Sequence, residues 1–63
     1  MGYKDAIKKL RLKMMLSQED FAKELGVSFA TVNRWEKGHF EPTYKARRAL
    51  APYFKKYGIE VDE

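Results

Sequence analysis

The sequence predicts a small all-α domain, a compact bundle of four or five short helices. Three observations predict it. The chain has 63 residues and no cysteine, so no disulfide or thiolate-bound metal can staple it and its stability must come from one hydrophobic core. Its apolar residues recur at helical spacing rather than in strict alternation. Hydroxyl residues stand where helices would start (Ser17, Ser28, Thr43), and glycines stand where they would stop (Gly26, Gly38, Gly58).

The first helix is expected over residues 3–14. Ile7, Leu10 and Met14 fall on one face, and Lys4, Lys8, Lys9, Arg11 and Lys13 fill much of the remainder as a solvated basic side. Met15 and Leu16 form the turn out of it. Ser17-Gln18-Glu19-Asp20 reads as a capping box in which the Ser17 hydroxyl accepts from the amide of residue 20. Phe21, Ala22 and Leu25 make the inward stripe of the second helix, and Gly26 ends it in the left-handed conformation. Ser28 caps the third helix, over residues 29–37. Val32 and Trp35 point inward, which leaves Phe29, Ala30, Asn33, Arg34 and Lys37 on the outer side. Thr43 caps a fourth helix with Ala46, Ala49 and Leu50 inward. Pro52 lacks an amide hydrogen and disfavours helical geometry at Ala51, so a break is expected there, with a last helical piece over residues 52–57. Gly58 stops that piece. The domain therefore spans residues 1–59, followed by an acidic tail over residues 60–63; across residues 59–63 Ile59 and Val61 alternate with acids.

Composition narrows the functions. Charged residues make up 35% and hydrophobic ones 44%, a balance unlike that of a disordered chain or a membrane protein. No apolar run approaches the roughly 20 residues that span a bilayer. The N-terminal residues turn charged at once, without the apolar stretch of a signal peptide, and Ala6 stands where a myristoylation signal needs Ser or Thr. A cytoplasmic location is the expectation. Thirteen basic residues and six acidic ones precede position 60, a net charge of +7 on the body of the domain, which points to a polyanionic partner. The one histidine, His39, has no companion ligands nearby and makes no zinc site, and no cofactor is expected. Without a cysteine nucleophile, a phosphate-cradling glycine loop or an HExxH motif, enzyme chemistry is not expected.

Residues 18–37 carry the most specific signal: two short helices joined at Gly26, as a DNA-binding helix-turn-helix requires. Ala22 sits where the helices cross most closely, Gly26 allows the left-handed turn, and Val27 plugs the corner. Val32 and Trp35 pack the second helix of the pair inward. Its outer face is then free to enter a major groove. The run LSQEDFAKELGVS from Leu16 to Ser28, followed by VNRWEKG from Val32 to Gly38 and by Pro42, resembles the Cro/lambda-repressor-type helix-turn-helix family, whose docking on DNA is a standard geometry. The resemblance covers roughly residues 5–57.

The resemblance implies roles. Gln18 would bind a phosphate together with nearby backbone amides. Ser28, Phe29, Ala30, Asn33 and Arg34 would face base edges, with Arg34 the candidate for a bidentate contact to guanine and Phe29 and Ala30 for thymine methyl groups. Thr31, Lys37, His39 and Lys45 would lie along the sugar–phosphate backbone. Arg11 and Glu36 match a pair that bridges the first and third helices in relatives. Ala22, Gly26, Val32 and Trp35 hold the scaffold. Met15 stands where relatives often have Gly or Asn, which leaves the shape of the first turn open. The partner implied is double-stranded DNA, bound by a nucleoid-associated transcriptional repressor. A homodimer would form through the C-terminal segment (Tyr53, Phe54, Tyr57, Ile59 and Val61) or only on DNA. The rival reading is a protein-interaction module, an antitoxin-like or DNA-targeting accessory subunit, with Phe29, Ala30 and Phe40 as an apolar docking patch.

Overall fold

A computed structural model of the chain describes residues 1–62. Helix α1 (Tyr3–Lys13) places Tyr3, Ala6, Ile7 and Leu10 in the core. The i, i+3, i+4, i+7 stripe thus begins one turn earlier than Ile7. Helix α2 (Gln18–Leu25) buries Phe21 and Ala22, and α3 (Phe29–Lys37) buries Val32 and Trp35. Helix α4 (Tyr44–Lys56) contributes Leu50 and Phe54. The described residues form four helices and no strand. No helix among them is long and apolar enough to cross a membrane.

Each hydroxyl cap forms. Ser17 accepts from the Asp20 amide at 3.1 Å, Ser28 from Thr31 at 3.1 Å and Thr43 from Ala46 at 3.3 Å. Each bond satisfies one of the amides that a helix start leaves unpaired. At the C-termini one motif recurs four times. After α2, Gly26 donates to the Lys23 carbonyl at 3.2 Å and Val27 to that of Ala22 at 3.0 Å, the paired bonds of a Schellman closure. Gly38 and His39 close α3 in the same way, and Gly58 and Ile59 close α4. Met15 and Leu16 close α1 likewise, with Met15 at φ 58°, the one non-glycine residue at positive φ among those described. The first turn thus keeps the shape that a glycine would give it.

Three expectations need correction. Pro52 does not break the fourth helix, which runs unbroken through it. Proline lacks the amide that would bond the Arg48 carbonyl. Both residues lie on the exposed side, where water can serve that carbonyl, while Leu50 and Phe54 anchor the helix to the core on either side. Also, Phe54 and Ile59 are each 7% exposed within the single chain, so neither is free to build an interface between two copies. Ala49 lies exposed rather than inward.

The segment after Gly58 lies back along α1. Lys13 donates to the Tyr57 carbonyl at 3.2 Å, Ile59 is buried, Val61 packs on the core, and the Asp62 amide donates to the Met1 carbonyl at 2.8 Å. The segment therefore runs antiparallel to α1 from its last turn to its first. The Met1 ammonium reaches Asp62 Oδ2 at 2.7 Å, and this hydrogen bond, helped by the charge, holds the Asp62 carboxyl below the usual carboxylate range. The expected tail also includes Glu63, which lies outside the described residues.

Candidate nucleic-acid interface

Helix α3 is built with two unlike sides. Val32 and Trp35 anchor one side, at 0% and 3% exposure. Ala30, Arg34 and Lys37, spaced i, i+4, i+7, form an exposed stripe on the other. Phe29, half exposed, stands beside the start of the stripe. Among the described residues, the Arg34 side chain has no hydrogen-bonding or ionic partner. The only carboxylate of α3 is Glu36, whose side chain is 6% exposed and held by Arg11. The outer face of α3 therefore presents positive charge that no acid on the same helix offsets.

The orientation of that face is set from behind. Arg11 Nε meets Glu36 Oε2 at 2.7 Å and Nη2 meets Oε1 at 3.0 Å, a two-point fork from α1 to α3. The remaining arm, Nη1, donates to the Leu16 carbonyl at 3.0 Å. One guanidinium thus ties α1, the first turn and α3 together. Its hydrogen bond to Glu36 raises the Arg11 pKa above an already high ordinary value; the loss of water opposes this and the carboxylate charge adds to it. The pair is largely dewatered, with side-chain exposures of 13% and 6%, so removing either partner would strand a charge.

The structure joins two residues that sequence reading kept apart. Gln18, at the start of α2, donates from Nε2 to Glu36 Oε1 at 3.2 Å and accepts from Asn33 Nδ2 at 3.1 Å. Asn33 is half-buried by this contact rather than freely exposed. The signal available was that Glu36 lies three residues after Asn33 on one helix face, but the approach of Gln18 is tertiary and has no local signature.

At the N-terminus of α3 the Ser28 and Thr31 hydroxyls pair at 2.8 Å. At its other end Lys37 and His39 are exposed. Lys45 is exposed on the first turn of α4, in the lining of a shallow groove of about 200 Å³ that Leu25, Val27 and Trp35 also line. Arg47 is occupied differently: it donates to the Pro42 carbonyl at 2.9 Å and lies over the Tyr3 ring at 4.9 Å. Phe40 and Tyr44 are exposed in and just after the α3–α4 connection.

Comparison with known proteins agrees with this architecture. A helix-turn-helix family model matches residues 7–60. The chain is 37% identical over 60 residues to an uncharacterized HTH-type transcriptional regulator of Methanocaldococcus jannaschii, across 95% of this chain and 86% of the relative. No solved structure matches it. The family is one of DNA-binding regulators and not of enzymes. With its glycine-closed turn between α2 and α3 and a family match over most of its length, the chain belongs to the Cro/C1-type helix-turn-helix family.

Proposed function

We propose that this protein is a sequence-specific, double-stranded DNA-binding transcriptional regulator of the repressor type, which lays α3 in the major groove. The observation that carries the reading is the exposed, unpartnered Arg34 on a helix whose opposite side is locked into the core. A guanidinium held outward on a rigid helix suits the O6 and N7 acceptors of guanine. Phe29 and Ala30, one turn toward the N-terminus, suit thymine methyl groups, and Ser28 and Asn33 complete the base-facing set. Gln18 retains one N–H for a phosphate at the start of α2, where the first backbone amides of that helix also point. Thr31, Lys37, His39 and Lys45 complete the phosphate set. The relative's naming as a transcriptional regulator supports the same role. Action in the cytoplasm on the nucleoid follows from this reading. Half-sites about one helical turn apart would be engaged by two copies, meeting through Tyr53, Tyr57 and Val61 or only on the DNA.

The half-exposed Phe29 and Phe40 favour a second reading, a protein-docking module or accessory subunit. Salt separates the two. DNA binding should weaken on a log–log plot with a slope of about −0.9 per phosphate neutralised, whereas an apolar contact should be nearly flat. The test is selection from random duplexes with binding measured at two salt concentrations. The expected result is a guanine-containing motif whose affinity falls roughly tenfold or more in Arg34→Ala, the worth of one bidentate base contact, and changes little in Lys8→Ala. Absence of any motif, with Arg34→Ala equal to the parent, would overturn the DNA reading.

A further inference from the structure

The side chains of Arg11, Glu36, Gln18 and Asn33 form one continuous hydrogen-bonded chain from α1 to the half-buried Asn33 beside the exposed stripe of α3. We infer that this chain turns the Asn33 amide so that it reads adenine. The inference rests on the major-groove reading above and names the base that one position of that site takes.

The direction of every bond follows from the first member. A carboxylate only accepts. Glu36 takes the Arg11 fork on both oxygens, and Oε1 also faces Gln18 at 3.2 Å. Gln18 must therefore turn its NH2 group toward Glu36, which leaves its Oε1 toward Asn33. That oxygen also only accepts, so Asn33 must turn Nδ2 toward it, as the 3.1 Å contact records. One of the two Asn33 N–H groups is then committed. One N–H and the Oδ1 acceptor remain for a ligand.

In the major groove adenine offers an acceptor at N7 and a donor at N6, which is the complement of that remaining pair. Guanine offers two acceptors, so its O6 would face Oδ1 without a proton between them. Thymine offers an acceptor and a methyl group, and cytosine a donor alone. An unrestrained asparagine could present both N–H groups outward and accept guanine instead. Asn33 is the specificity-determining residue here, and Gln18 is a positioning residue acting through it.

The experiment uses the full chain and the motif recovered by random-duplex selection. Each adenine of the motif is replaced in turn by guanine and by 7-deazaadenine, which lacks the N7 acceptor. The parent should lose affinity roughly tenfold with either replacement at one adenine. Asn33→Ala should remove the preference at that position and leave the others unchanged. Asn33→Asp, which can only accept, should shift that preference toward cytosine. Gln18→Met keeps the side-chain volume and leaves the Arg11–Glu36 fork in place. It should lower the adenine-to-guanine ratio at that position several-fold, a readout that a general loss of fold or affinity would not move selectively. A motif left intact by Asn33→Ala would overturn the inference while the DNA reading stood. An unchanged ratio in Gln18→Met would overturn the orienting chain. Recovery of no motif would mark failure of the DNA reading itself.

Discussion

The turn that joins α1 to α2 and the turn that joins α2 to α3 are built to one plan from different residues. Each pairs a left-handed residue with a following apolar residue and a serine cap: Met15-Leu16-Ser17 in the first, Gly26-Val27-Ser28 in the second. Each closes with the same two backbone bonds. Glycine takes φ 74° in the second turn without a steric cost, whereas methionine, a residue 90% exposed, holds φ 58° in the first. The first turn also has a hook that the second lacks, the bond from Arg11 to the Leu16 carbonyl. Flanking packing, caps and side-chain hooks can impose a turn geometry that the local residue disfavours.

Breaking the hook should give the largest effect. Arg11→Met removes it and leaves Glu36 dewatered without its counter-charge, so thermal or denaturant unfolding should show a loss of about 3 kcal/mol or more. Gly26→Ala should come next. A Cβ there meets nothing within 4 Å, so the cost is conformational alone, about 1–2 kcal/mol; a neutral result would show that the second turn is as tolerant as the first. The reciprocal change should act in the opposite direction. Met15→Gly relieves the left-handed strain but loosens the unfolded chain, for a net gain of about 0.5–1 kcal/mol, seen as a higher denaturation midpoint at unchanged slope. A loss of stability on Met15→Gly would mean that the methionine side chain contributes more than its exposure suggests.

The second turn was legible because every device in it is local: a glycine, a small residue at the crossing and a hydroxyl cap each act within a few positions. The caps at Ser17, Ser28 and Thr43 could be read for the same reason. The run through Pro52 was not legible, because the anchoring of Leu50 and Phe54 is tertiary and outweighs a local preference of about 3 kcal/mol. Tyr3 was within reach, since it extends the Ala6, Ile7, Leu10 stripe by one turn. The outward placement of Arg34 follows from the inward placement of Val32 and Trp35. The bond between Gln18 and Asn33 does not, because residues 15 positions apart meet only once the crossing of α2 and α3 is known.

The fork between Arg11 and Glu36 has a practical consequence. Mobile ions of a buffer screen charges that face water and reach a dewatered pair far less. The tilt of α3 against α1 should therefore hold while added electrolyte strips a bound polyanion from the surface, so a titration with potassium chloride would count released counterions rather than record a loosening frame.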